Sequence, residues 1–444
     1  MLDIKFIREN KDAIDQAAKN KNIKLDLDEL LALDTKRIEL LQAVEKLQAQ
    51  KNNLNDEIAK ADDKAVVIAR GAEIKEELSK LEPEFKKIKD ALETLMVQVP
   101  NIVSADTPVA KDESGNKEVL IAGEIPHFDF PVKNHIEIGK DLDILDLEKG
   151  AKTAGYRGYY LKNEGASLVM ALMMYALNKM IEKGYTPMIP PTLVKGGALF
   201  GTGYFSGKEY NSKEDNIYQL ASANEEVDGK AAKEKNFLVG TAEPSLLAYY
   251  ADDTLREEDL PIKVAGYSQC YRSEIGSYGK DTKGFYRVHE FMKVEQVVLM
   301  EADSEASIKM HEDMFAISKE IHAELGLPYR VLQICTGDMS AGKFRAYDIE
   351  AWMPGLNRWG ETGSASNFTD WQARRLNTKY VDKDGNKKFV YMLNNTVLPS
   401  ARPFIAILEN FQQADGSVII PEVLRKWMPG NIGIIKNEKL KMKN

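Results

Sequence analysis

Between Leu40 and Leu95, apolar residues recur in steps of three and four, the spacing that keeps one face of a helix against a partner. The first run is Leu40, Val44, Leu47, Leu54, Ile58 and Ala61, broken only by Lys51. The second, Ile74, Leu78, Leu81, Phe85, Ile88, Leu92 and Leu95, has no break. Asp62, Asp63, Lys64 and then Gly71 interrupt the pattern between them, which predicts an antiparallel hairpin. Arms of about 35 residues rising about 1.5 Å each would reach roughly 50 Å. Pro83 lies inside the second seam and predicts a kink costing about 3 kcal/mol, although the apolar register continues past it. On its own, such a hairpin fits a dimerisation or spacer element equally well.

After Pro100 the pattern changes to short apolar runs punctuated by Gly, Pro and charge, with a polar stretch at Ala110–Lys117 that reads as a linker. A helix is predicted near Ser167–Lys183, followed by short β-like segments mixed with helices, which suggests an α+β domain around a mainly antiparallel sheet. The expected division is therefore 1–105 for the helical domain, 106–134 for a linker and 135–444 for the α+β domain. Ser206–Lys235 is polar enough to be an inserted flap or a solvated loop, and Lys436–Asn444 is a basic tail.

Composition narrows the class. With 444 residues, 43% hydrophobic and 29% charged, the chain can bury a large core. Its first residues carry Asp3, Lys5, Arg8 and Glu9 rather than a signal-peptide core, and no apolar stretch approaches the roughly 18 residues of a membrane span. A cytoplasmic location with no membrane partner is the expectation. Cys270 and Cys335 are far apart and in no C-x-x-C pair, which argues against a zinc ribbon or disulfide framework and for buried thiols. A net charge of −9 would repel nucleic acid, so any RNA contact must use a local basic patch.

Candidate chemistry gathers in four segments. Around YRSEIGSYGKDTKGFYRVHEFMKVEQ, two strand-like runs flank a Gly-rich charged loop, Ile275–Gly284, which predicts a long-looped hairpin. Alternation puts Arg272 and Glu274 on one face of the first strand, and Arg287, His289, Phe291, Lys293 and Glu295 on one face of the second. Guanidinium, carboxylate and an aromatic face together suit a nucleotide with an anionic reacting centre, while a solvent-facing charged sheet is the plain alternative. Near the C-terminus, a strand from Tyr391 runs into an apolar helix with Ser400 as expected N-cap, Arg402 in the first turn and Pro403 tolerated there. A cation at the positive end of a helix asks for an anion. Glu361 and Ser364 can together offer oxygen ligands to a magnesium ion carried by phosphates, though an acid near a serine is also ordinary surface. Thr241 and Glu243 can aim a hydroxyl and a carboxylate at one small polar ligand, or simply start the helix at Pro244.

In this order the segments resemble the three signature motifs of class II aminoacyl-tRNA synthetases: KGYTPMIPPTLV as the first, the Arg272 hairpin as the second, and the Arg402 strand and helix as the third. The strings FGTGYF, VGTAEP, TGDM, SASNFTDWQARR and ILENFQQADG, with the N-terminal hairpin, are similar to the seryl-tRNA synthetase family nearly end to end. The resemblance implies an antiparallel-sheet class II catalytic domain behind a coiled-coil hairpin. It implies activation of L-serine by ATP with Mg2+, transfer to tRNA(Ser), with tRNA(Sec) as a further candidate, and a homodimer. Carried over by motif, Arg272 would hold the α-phosphate and the serine carboxylate, Glu274 the adenine amino group, Phe291 the adenine face and Arg402 the γ-phosphate. Glu361 and Ser364 would bind magnesium, with Ser273, Thr362 and Gly363 as supporting nucleotide contacts. Thr241, Ala242, Glu243, Glu295, Asn394 and Thr396, with Arg272, would line the serine pocket. The third motif departs from the common bacterial pattern, since Thr396, Pro399, Ser400 and Ala401 replace a glycine-rich run, and Gly363 stands where serine is common.

Two rivals follow. A synthetase for another amino acid, or a carrier-protein ligase, is separated by asking which amino acid drives pyrophosphate exchange. A non-catalytic coiled-coil protein on the same scaffold is separated by ATP binding.

Overall fold

The computed structural model describes residues 2–60, 63–221, 235–275 and 283–437, with the backbone alone for 55–60. The basic tail from 438 onward, most of the Ile275–Gly284 loop and the latter part of the Ser206–Lys235 segment lie outside the described residues. Two compact units form, 1–100 and 101–444.

In the first unit, helices α1 (Leu27–Lys60) and α2 (Lys64–Gln98) make the hairpin. Asp26 starts α1 by accepting from the Glu29 amide at 2.9 Å, and Asp63 starts α2 by accepting from Ala65 at 3.0 Å. Val44, Leu54, Ile74 and Leu78 are buried against one another, and Gln48 reaches Glu82 at 3.2 Å, so the arms run antiparallel in the register the seams predict. Gly71 does not break the pattern as expected. It lies inside α2, where an added Cβ would meet Leu54 Cδ1 at 3.2 Å. Pro83 is exposed on the outer face and does not end the helix.

The second unit is built on an eight-stranded sheet. Its strands are β1 (Lys117–Ala122), β2 (Thr186–Met188), β3 (Ile262–Tyr271), β4 (Glu290–Met300), β5 (Tyr329–Gln333), β6 (Arg345–Met353), β7 (Arg358–Asn367) and β8 (Tyr391–Pro399). Their order is β1-β5-β6-β7-β8-β4-β3-β2, antiparallel throughout except for the parallel pair β2–β3. The stretch expected as linker thus contributes an edge strand, pairing Lys117 to Gln333 and Ala122 to Tyr329.

Alternation along β4 divides the unit into two faces. Val294, Val298 and Met300 point into a core shared with helices α4 (Asn163–Glu182), α6 (Ser304–Glu324) and α7 (Ala401–Asn410), through Leu172, Met314, Phe404 and Ile405. Val297 and Leu299 point the other way, to Leu246 of helix α5 (Glu243–Ala248) and to Ala373. Phe291, Lys293 and Glu295 continue that second face, where the sheet is left open as a cleft. A short helix α3 (Leu147–Ala154) precedes α4. No helix among the described residues is long and apolar enough to cross a membrane.

Candidate active site

Two β-bulges shape the open face. In the β6–β7 ladder Ile349 pairs with Gly363 but Glu350 pairs with Glu361, so Thr362 is the extra residue. Glu361 and Ser364, three apart and on opposite faces of a regular strand, are thereby turned to the same cleft. In the β4–β8 ladder Val294 pairs with Leu398 but Glu295 with Thr396, so Val397 is extra and Pro399 joins Thr396 on the cleft side. The bulged Thr362 turns its hydroxyl to His322 (2.7 Å) on the helical side. Gly363 is tightly enclosed, since a Cβ would meet Ile349 Cγ2 and the Thr396 carbonyl at 3.0 Å each and these would have to give way.

Arg272, Glu274, Tyr286, Arg287, Phe291 and Lys293 line one wall of the cleft, and Glu361, Thr396 and Arg402 the other. The Arg272 guanidinium stands 5.4 Å from the Phe291 ring and its Nε donates to the Gly240 carbonyl at 3.3 Å. Arg402, in the first turn of α7, lies 4.5 Å from the Tyr286 ring and donates through Nη1 to the Glu361 carbonyl (2.8 Å) and to Glu361 Oε2 (3.1 Å). Desolvation in the cleft would raise the Glu361 carboxyl, but Arg402 and then Arg272 outweigh it and hold the group below its ordinary range. Ser400 does not cap α7 as expected. Its backbone is already helical, and its hydroxyl instead accepts from the Met292 amide at 3.0 Å, locking α7 to β4.

Beyond Arg272 the cleft continues into a cavity of about 300 Å³ lined by Tyr204, Glu243, Lys293, Glu295, Ser364, Asn394 and Thr396. Glu295 forms an ion pair with Lys293 and accepts from Thr241 (3.1 Å) and Thr396 (3.3 Å). Glu243 accepts from Tyr204, Gln372 and Asn394, each at 2.7 Å. Burial first, and then the neighbouring Glu295, push the Glu243 carboxyl up to about 7. Thr241 starts no helix; its hydroxyl serves Glu295. Ala242 does not line the cavity but packs with Leu246 beneath it. Ser273 likewise turns aside, to Asn216 at 3.2 Å.

Glu361 and Ser364 present hard oxygen donors, and Asp348 lies opposite Ser364 across the ladder. Burial and then Glu361 push the Asp348 carboxyl up to about 7, and its Oδ1 has no hydrogen-bond partner among the described residues. A carboxylate oxygen left in this state beside two oxygen donors fits a hard divalent cation.

Sequence reasoning did not single out Tyr204 and Gln372, although they lie within the strings FGTGYF and SASNFTDWQARR, because nothing local shows that they meet Glu243. It also passed over Lys293 as a site residue, although alternation had aligned it; Arg287 and His289, expected on the same strand face, precede β4, and His289 turns to the Arg272 carbonyl at 2.8 Å while Arg287 reaches the cleft.

Residues 1–103 match the family profile described as "Seryl-tRNA synthetase N-terminal domain", and residues 226–411 match "tRNA synthetase class II core domain (G, H, P, S and T)". The serine–tRNA ligase of Treponema denticola is 41% identical over 429 residues, covering 96% of this chain and 98% of the relative. The chain belongs to the seryl-tRNA synthetase family. The Deinococcus radiodurans serine–tRNA ligase is likewise 41% identical, over 97% of this chain and 98% of its own. Among solved structures, the seryl-tRNA synthetase of Pyrococcus horikoshii complexed with ATP is 35% identical with a TM-score of 0.84, covering 98% of this chain and all of its own. The Naegleria fowleri cytoplasmic serine–tRNA ligase in complex with AMP is 29% identical with a TM-score of 0.82, covering 99% of both chains. Helical hairpin and antiparallel sheet are thus the architecture of a class II seryl-tRNA synthetase family member.

Proposed function

We propose a division of labour within the cleft for the serine–tRNA ligase activity that family membership gives this chain. The observation that carries it is one continuous cavity in which Arg272, Lys293, Glu361 and Thr396 line both the wide cleft and its polar extension. A triphosphate fits between Arg272 and Arg402, with the base over Phe291 and its amino group at Glu274. Thr362 and Gly363 contribute backbone to the nucleotide wall, and Ser273 acts from outside it. Serine fits in the extension, its ammonium at Glu243 and its hydroxyl at Glu295 and Thr396, with Asn394 holding Glu243 and Ala242 supporting the floor. Arg272, common to both parts, receives the serine carboxylate beside the α-phosphate.

A carboxylate oxygen of serine then attacks the α-phosphorus and pyrophosphate leaves, giving seryl-adenylate. In the second step the terminal 3′-hydroxyl of tRNA attacks the acyl carbon and AMP leaves. Both steps are accelerated by positioning and by charge stabilisation from fixed guanidinium groups. Glu361 and Ser364, with Asp348 behind, would hold magnesium, which would supply positive charge to offset that of the phosphates. Glu295 rejects alanine, which would leave a buried carboxylate without its hydroxyl. The hairpin reaches tRNA(Ser) through shape and phosphate contacts; charging of tRNA(Sec) would depend on the same arm. Met170, Met174 and Ile181 of α4, with Ile189 beyond β2, are exposed apolar residues, which supports a homodimer.

The decisive experiment is pyrophosphate exchange across the standard amino acids, with Arg402→Ala alongside. Serine alone should drive exchange, and the variant should lose at least about 100-fold in rate, the scale of losing one preorganised charge donor. Activity within a few-fold of wild type would remove Arg402 from the proposed role.

A further inference from the structure

Arg157 lies in none of the signature segments and does not line the cleft. Its side chain is nevertheless only 4% exposed, and its Nη1 stands 3.4 Å from Glu274 Oε2. Arg287 meets the same oxygen at 3.3 Å from the cleft side, with 28% of its side chain exposed. Glu274, itself 9% exposed, is therefore held between two guanidinium groups, one facing the ligand space and one behind.

The local structure shows how strongly this contact is specified. Arg157 and Glu274 both adopt left-handed backbone, φ +64° and +55°, a conformation costing about 1–2 kcal/mol for each non-glycine residue. The Glu274 turn is fixed by its amide donating to Asn216 Oδ1 at 2.6 Å. The Arg157 turn follows α3, which ends at Gly155 (φ +78°) and doubles back so closely that a Cβ on Gly150 would meet Tyr159 Cα at 2.2 Å and one on Gly158 would meet the Gly150 carbonyl at 2.5 Å. The returning segment is pinned to the sheet where Tyr159 donates to the Glu290 carbonyl at 2.9 Å. Two strained turns from distant parts of the chain thus meet in one nearly dry ion pair, and a buried charge pair of this kind is retained for what it specifies more than for stability.

We infer that Arg157 is a positioning residue for nucleobase selection: from behind, it orients the Glu274 carboxylate toward the amino group of the base. This rests on the reading of Glu274 as the group that meets that amino group. Arg287 alone does not suffice for the task, because it faces the cleft and is open to phosphate oxygens when a nucleotide enters.

The test compares ATP with purine riboside triphosphate, which lacks the 6-amino group, as substrates in serine-dependent pyrophosphate exchange by the full chain. Arg157→Met should raise KM for ATP about tenfold and lower the preference for ATP about tenfold, with KM for serine changed less than about twofold, because the lost charge acts only through the base reader. Arg157→Lys, which keeps the charge but not the fork, should fall between, with preference reduced about threefold. Glu274→Gln sets the reference. If it collapses the preference and Arg157→Met, folded with an unchanged melting temperature, leaves the ratio at the wild-type value, the inference is wrong while the reading of Glu274 stands. If Glu274→Gln leaves the preference intact, that reading fails and this inference with it. Should Arg157→Met not fold, the Arg157→Lys ratio decides, an unchanged value counting against.

Discussion

Glu243 illustrates how a single buried group can impose a pH dependence. Its carboxyl is pushed up to about 7, first by burial and then by Glu295, against the opposing hydrogen bonds from Tyr204 and Gln372. Below that pH the group is neutral and offers an ammonium ion little; above it the carboxylate is ready. Serine affinity should therefore strengthen as pH rises from about 6 to about 7 and level off beyond, with proton release on binding in the lower range. Calorimetric titration of serine in two buffers of different ionisation enthalpy measures this directly. Affinity that stays flat from pH 6 to 8 would mean that Glu243 is already ionised in the free protein. At the same scale, part of the cleft was legible: Phe291 and Glu295 follow from alternation along β4, whereas Arg272 and Glu274 lie beyond the end of β3, Glu274 in a left-handed turn, and only motif order pointed to them. Tyr204 and Gln372 were not, because each reaches Glu243 only through the tertiary fold.

The two arms of the hairpin were readable because a helical seam repeats often enough to be seen, and the buried residues Val44, Leu54, Ile74 and Leu78 fall on it. β1 was hidden for the opposite reason, being six residues long and exposed along most of its length, and so resembling a connecting segment. The bulges were invisible too. One extra residue leaves no trace in composition, yet without Thr362 as that residue Glu361 and Ser364 would face apart. The role proposed for the arm also lets a change in its seam separate the two reaction steps. Leu78→Asp places a charge in the middle of the arm contact and should unpair the helices there, at roughly 3 kcal/mol or more. Serine-dependent pyrophosphate exchange should stay within about twofold of wild type while tRNA aminoacylation falls at least about 30-fold, because the role proposed for the arm is to hold RNA. Equal loss in both assays would contradict that separation.

For the whole molecule the relevant quantity is charge. A protein of net charge −9 that holds a polyanion must do so through a few local cations, each displacing counter-ions from the RNA. Raising salt from about 50 to 200 mM should therefore weaken the apparent tRNA affinity at least about tenfold, while exchange with small substrates moves less than about twofold. Steady-state aminoacylation and exchange run over the same salt series distinguish the two. A tRNA KM insensitive to salt would point to recognition without phosphate contacts.

Arg402 and Glu361 face each other across 3.1 Å, yet the proposed chemistry gives one to a phosphate and the other to a cation. Each neutralises its neighbour until both are claimed at once. A metal-free nucleotide would have to displace a carboxylate from its arginine, and a bare ion an arginine from its carboxylate; a preassembled metal–nucleotide complex satisfies both. On the proposed assignment the cleft would select its substrate as a matched set and turn away either half arriving alone.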